Sequence, residues 1–294
     1  MIEPARIVWR RIAIYVGLVF LFSTPFYAIV LGLGKLGAGR GMYVMGLMWC
    51  PTLAALVTCR LTGKPVAELG WSWGRTRYQL LSVAIPLAYT AVAYVFAWVT
   101  GLAGFYNRGF VDRLQADFGW GGVPVPLVLL GFLVFQGTFG VIRSSANALG
   151  EEIGWRGFLV PELAKVTSFT GVGLVSGVIW VLYHVPILVF GDYNAGTPWW
   201  FGLTCFTVLV MGGSFLFAWM RLRSGSLWTG VLLHASHNLF IQGVFTPLSY
   251  DAGKTAYVID EFGVALAAVV AVVAVVCWRW GVTRSFAQSP LRSP

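Results

Sequence analysis

Long apolar runs separated by short polar stretches organise this chain of 294 residues. Eight such runs recur: about Ile12 to Leu33, Met42 to Cys59, Tyr78 to Ala103, Pro126 to Ile142, Val172 to Phe190, Trp199 to Met220, Leu227 to Phe245 and Gly263 to Trp280. Each is close to the ~20 residues a helix needs to cross a bilayer, and none shows the period-2 alternation of a strand. The pattern therefore predicts an all-α fold, a polytopic transmembrane helical bundle of about eight spans. Pro25 interrupts the first run, which lipid tolerates because neighbouring helices re-satisfy the freed backbone groups. A glycine-rich turn follows it. Between the third and fourth runs, Phe110, Leu114 and Phe118 recur at four-residue spacing among Asp112, Arg113 and Asp117, as in an interfacial amphipathic helix. No Pro stands between Pro126 and Pro161, so the fourth run is expected to continue as helix through Arg143 and beyond.

Composition sharpens the picture: 58% of residues are hydrophobic, only 11% are charged, and the mean hydropathy is +0.77. No soluble globular domain of this size has that balance. The net charge of +9 does not point to nucleic acid, because the basic residues flank apolar runs singly instead of clustering. They sort by side instead. The N-terminus, the Arg60 to Arg77 loop, the Arg143 to Lys165 connection, Arg221 with Arg223 and the C-terminal tail hold 15 of the Lys and Arg. The opposite loops hold five: Lys35, Arg40, Arg108, Arg113 and Lys254. By the positive-inside rule both termini are expected in the cytoplasm, with the plasma membrane as the expected location. The first run is too long for a signal-peptide core and lacks an A-x-A-like site, so it reads as a retained span. Cys50, Cys59, Cys205 and Cys277 form no CxxC pair and read as packing residues. No internal repeat of the kind transporters use is visible.

Against this apolar background one stretch stands out, Glu151-Glu152-Ile153-Gly154-Trp155-Arg156. An ionised side chain near a bilayer centre costs at least ~2.5–3.5 kcal/mol, so intramembrane acids point to function. On a helix Glu152 and Arg156 are spaced i,i+4 in the favourable order for an ion pair, whereas Glu151 is rotated roughly 100° away. Glu151 is thus expected to lack a partner within the motif, which suits a general base. The alternative on these six residues alone is a solvated helix end. The three histidines of the chain, His184, His234 and His237, all fall in apolar runs downstream. Trp180 precedes His184 by one turn and is expected to orient and desolvate its imidazole. His234 and Asn238 share a helix face, while His237 is expected to point roughly 60° to the other side. Singly, a buried His or Asn is often just a satisfied core residue. Two Glu, the histidines and an Asn on three separate spans make a shared polar site the better reading.

In that order and on successive apolar runs, Glu151-Glu152-x-x-x-Arg156, aromatic-x-x-x-His184 and His234-x-x-x-Asn238 resemble the motifs of the CAAX protease and bacteriocin-processing family, also called Abi. These are intramembrane proteases, and the matching core runs from roughly Val128 to Gly243. The chain departs from the family at position 180, where Trp180 stands in place of the usual Phe. Three parts are expected: residues 1–125 with the first three spans and the interfacial helix, a catalytic core at 126–245, and residues 246–294 with the last span and a cytoplasmic tail. What the resemblance implies is an intramembrane endopeptidase acting on a peptide or lipidated-protein substrate in the bilayer, such as a prenylated chain or a leader peptide. Glu151 would activate water, His184 would help orient it, and His234 with Asn238 would form the oxyanion hole. Glu152, Arg156 and Trp180 would support the site. No cofactor is favoured, but zinc held by Glu151, His184 and His234 is a competing reading, since two His and one Glu are a common catalytic zinc set. A proton-coupled transporter and a non-catalytic immunity protein are the alternatives outside protease chemistry. No GxSG lies on a span for a serine mechanism, and no Asp lies within a span for an aspartyl one.

Overall fold

The computed structural model describes residues 3–32, 41–191, 193–194 and 196–283. The glycine-rich turn expected after the first span and the C-terminal tail expected in the cytoplasm lie outside the described residues, as do Lys35, Arg40, Arg284 and Arg292 of the charge count. The chain folds as a helical bundle. Helices α1 (Ala5–Gly32), α2 (Gly41–Thr62), α3 (Thr76–Val99), α5 (Val125–Val166), α6 (Phe169–Val189), α7 (Trp199–Ser224) and α9 (Val264–Thr283) are long and apolar enough to cross a membrane. Between them lie the short α4 (Arg108–Asp117) and α8 (Trp228–Asn238). The eighth expected span is α8 with its helical continuation through residue 248. It is not among the seven, and its two His, one Asn and one Gln explain why: the helix that carries the chemistry is the least apolar of the set.

Each span buries one stripe and leaves the rest for lipid. In α1 the buried positions are Val8, Ile12, Tyr15, Val19, Ser23, Tyr27 and Val30, recurring every three or four residues, while Leu21 and Ile29 remain exposed. Pro25 lies inside this helix, as expected. The stripes meet in one continuous core, with α7 packed on α6 and α9, α1 on α2, and α8 lodged against α3 and α5. The interfacial helix α4 forms where the period predicts, with Asn107 as its N-cap through a hydrogen bond from the Phe110 N–H, 3.1 Å. Val111 and Leu114 make its buried face, packed on Val128 and Phe132 of α5, and Phe118 stacks outside on Trp120. One departure from all-α structure is a two-stranded ribbon, β1 (Gly104–Phe105) with β2 (Ser249–Tyr250), which fastens the loop after α3 to the end of the α8 run.

The long α5 positions the site. Its 42 residues trace about 63 Å, roughly twice the hydrocarbon thickness of a bilayer. The apolar first half suffices to span, and the second half carries the acidic motif into the bundle. Two π turns interrupt it, Gln136–Gly140 and Ile153–Leu159. Contact with α2 is backbone-close. A Cβ on Gly154 would stand 2.6 Å from the Pro51 carbonyl oxygen, so only glycine allows the approach. The Thr52 hydroxyl donates to the Gly150 carbonyl at 2.6 Å, locking the same contact.

Candidate active site

Three helices deliver the polar residues to one cavity of about 260 Å³. Glu151 enters from α5, Trp180 and His184 from α6, and His234, His237 and Asn238 from α8. All four residues expected to do chemistry, Glu151, His184, His234 and Asn238, line it. The surrounding wall is apolar, with Leu47, Ile187, Phe206, Leu209 and Phe217 among its members.

Glu152 and Arg156 lie behind this wall and form the ion pair that their spacing predicts, Nη1 to Oε1 2.9 Å, with both side chains out of solvent. The same Oε1 accepts from His234 Nδ1 at 3.0 Å, so Glu152 fixes the tautomer and orientation of that imidazole and leaves its Nε2 for the cavity. The Arg156 guanidinium is held between two rings, 4.1 Å from the Trp180 centroid and 3.8 Å from that of Phe217. Close approach of α8 depends on Gly230, where a Cβ would stand 2.7 Å from Glu152 Oε2.

Glu151 differs from expectation. It has no cation, but it is not without partners: its Oε2 accepts from two indole N–H groups, Trp155 at 3.0 Å and Trp180 at 2.9 Å. Both donors reach one oxygen because the π turn that begins at Ile153 brings Trp155 beside Glu151, while α6 supplies Trp180 from the opposite side. Among the described residues Oε1 has no protein donor, which leaves it for water in the cavity. Trp180 therefore acts in a way the sequence did not suggest. Besides setting its ring edge-on to that of His184, centroids 6.3 Å apart, it orients this imidazole through its backbone carbonyl, which accepts from Nδ1 at 2.9 Å, and its indole nitrogen goes to Glu151. A Phe at this position would keep the ring over Arg156 but would lose the donor to Glu151. His184, like His234, thus keeps Nε2 for the cavity.

His237 was expected to point away from the site, yet it lines the same cavity. Both of its nitrogens are committed: Nε2 donates to Glu261 Oε1 at 3.2 Å and Nδ1 accepts from the Tyr89 hydroxyl at 2.6 Å. Glu261 also accepts from Gln242 and from Tyr193, each at 3.0 Å. This clip ties α8 to α3 and to the loop before α9, and its hydrogen-bond donors hold the Glu261 carboxyl below its ordinary range despite burial. Nothing in the sequence reading pointed to Glu261, Tyr89, Tyr193 or Gln242. Asn147 and Arg143 line the cavity too, and for these a signal existed, since they precede Glu151 by four and eight residues on one helix.

Among the described residues no group of three or more His, Cys, Asp or Glu is placed to hold a metal ion, and Glu151 Oε2 is already shared by two indoles. The four cysteines are free and buried.

Residues 123–240 match the family model of the Rce1-like type II CAAX prenyl endopeptidases, a segment that contains all seven of the predicted site and support residues. This match is consistent with the CAAX protease and bacteriocin-processing family that the three motifs resemble. No curated protein matches the chain.

Proposed function

We propose that the protein is an intramembrane endopeptidase that hydrolyses a peptide bond of a membrane-associated substrate, a lipidated chain or a leader peptide, by Glu-activated water. The observation that carries this reading is the meeting of Glu151, His184, His234 and Asn238 in one cavity with their reactive edges free of protein partners. Glu151 Oε1 takes a proton from a water molecule that His184 Nε2 helps to orient, and the resulting hydroxide adds to the carbonyl carbon. The charge then developing on the carbonyl oxygen is met by the Asn238 amide and by His234 acting as an imidazolium, its Nδ1–H on Glu152 and its Nε2–H toward the oxygen. Each such donor in a water-poor site contributes roughly 10²–10³ in rate. Collapse breaks the C–N bond, and the proton held by Glu151 passes to the leaving nitrogen.

Glu152, Arg156 and Trp180 act as supports, the first by orienting His234 and the last by carrying His184 and a hydrogen bond to Glu151. With both termini cytoplasmic, the acidic motif would work from the cytoplasmic half of the membrane. Comparing the peptides in membranes that contain wild type or Glu151→Gln tests the reading. Peptides that depend on wild type and vanish with equally abundant Glu151→Gln are expected. Unchanged turnover in Glu151→Gln removes the assigned base, and solute accumulation by vesicles without any cleavage favours transport.

A further inference from the structure

A second cavity, of about 520 Å³, lies on the membrane face opposite the N-terminus, between the α6–α7 loop and the loop that joins α8 to α9. It is rich in polar side chains, with Asn194, Thr246, Ser249, Thr255 and Asp260 among its members. Tyr193 lines both this cavity and the catalytic chamber, while the adjacent residues Asp260 and Glu261 line one each. A partition about one side chain thick therefore stands between the two. On the chamber side the Tyr193 hydroxyl donates to Glu261 Oε2 at 3.0 Å. The Tyr193 ring lies nearly parallel to that of His184, centroids 6.5 Å apart at 22°, and Phe262 packs edge-on against it at 5.2 Å. On the outer side the Thr246 hydroxyl donates to Asp260 Oδ2 at 3.3 Å. A line of polar side chains thus connects Asn238 and His237, through Gln242, Glu261 and Tyr193, to Asp260 and Thr246.

Hydrolysis consumes water, and a water inside protein needs about two to four polar partners, which the apolar walls of the chamber do not offer. We propose that this polar line is the route by which water reaches Glu151 from the outer cavity, with the Tyr193 side chain as the stopper across it. The use of that water rests on the peptidase reading above; the route does not. The stopper is held by a hydrogen bond to a carboxylate and by ring contacts, so moving it aside breaks no backbone hydrogen bond. Without the hydroxyl, the open arrangement should be about ten- to a hundredfold more populated, the usual worth of a hydrogen bond to a charged group.

The test reads thiol labelling separately from turnover. Val210 lines the chamber, and Val210→Cys places a thiol of similar size on its wall. Full-length Val210→Cys in right-side-out and in inverted membrane vesicles is treated with a small, membrane-impermeant cationic methanethiosulfonate, and mass spectrometry of the intact chain counts the label. The unsubstituted chain, whose four cysteines are buried, gives the background. Labelling is expected from the face opposite the N-terminus, and only background from the other. Adding Tyr193→Phe should speed it about ten- to a hundredfold, and Tyr193→Ala at least as much. Ala256→Trp, which fills the outer cavity, should slow labelling and lower kcat for peptide without raising KM. Labelling only from the N-terminal face, at equal rates from both faces, or at background in every variant overturns the route. Rates that Tyr193→Phe and Tyr193→Ala both leave unchanged overturn the stopper. Slowed labelling in Ala256→Trp with kcat unchanged overturns the supply of water by this path. If labelling follows the expected pattern and wild type cuts no peptide, the route stands and the peptidase reading fails.

Discussion

Removing the Glu152 side chain should do damage of two separable kinds. Its carboxylate is fully buried and serves two donors through one oxygen, Arg156 Nη1 at 2.9 Å and His234 Nδ1 at 3.0 Å. In Glu152→Ala the Arg156 guanidinium keeps its two aromatic faces but has no anion left among its direct contacts, and its Nε already lacks an acceptor. Breaking one side of a buried pair costs ~3–5 kcal/mol, set against a total stability of ~5–15 kcal/mol for a typical fold. At about 2–4 °C per kcal/mol the melting temperature in detergent should fall by roughly 6–20 °C, with a matching fall in membrane abundance. Adding Arg156→Met removes the stranded charge and fills similar volume, so the double variant should recover most of the melting temperature. Activity should stay lost, because His234 has no acceptor to fix its ring. The assay is thermal unfolding and peptide turnover on wild type, the single and the double variant side by side. Glu152→Ala melting within ~2 °C of wild type would refute the stability argument, and turnover restored in the double variant would refute the orienting role.

Other expectations concern the rest of the site. His234→Ala and Asn238→Ala should each lower kcat by about 10²–10³ with little change in KM. His237→Ala should lower kcat less and the melting temperature more, since both of its nitrogens hold the clip and neither is free for substrate; equal kcat losses at His234 and His237 refute this order. Outside the spans, burial and then the neighbouring Glu261 carboxylate push Asp260 up to about 6. An acid raised on folding takes up protons, so its contribution to stability falls as pH rises from about 4 to 6. Asp260→Asn, which suits the left-handed backbone there (φ 70°), should raise the melting temperature at pH 7 and not at pH 4; an equal gain at both pH values refutes it. Chelator treatment in detergent should leave peptide turnover intact, and tightly bound zinc whose occupancy tracks activity across preparations would overturn a metal-free mechanism.

The fold was legible because lipid removes most choices. A run of some 20 apolar residues has to be helical there, and each of the eight runs marks a helix, although the first helix starts earlier, at Ala5, and the fourth continues well past Ile142, to Val166. Of the site, the parts written in helical spacing were also legible: Glu152 with Arg156, and His234 with Asn238. What stayed hidden depends on contacts between helices. The two indole donors on Glu151 arise from a π turn and from the facing α6, and no periodicity encodes either. Glu261 reaches His237 from a loop 24 residues on, where a lone acid looks like any other. The misjudged direction of His237 has a simpler cause. The cavity is bounded by several helices, so its lining covers a wider arc of α8 than the single face a wheel would assign.

The π turns also bear on how chains of this kind tolerate changes of length. One follows directly on Glu151 and Glu152, at Ile153–Leu159, and another directly on His234 and Asn238, at Leu239–Phe245. A π turn closes i→i+5 hydrogen bonds, one residue more than the α-helical path, so it is a ready place to lose a residue without breaking a helix. Losing one would return that turn to α geometry and leave everything N-terminal to it in register. The candidate base and the oxyanion donors lie on that undisturbed side in both helices. When this chain is aligned with a relative, a single-residue gap just after Glu152 or Asn238 should therefore be read as a flattened bulge, with the catalytic positions still in correspondence across it.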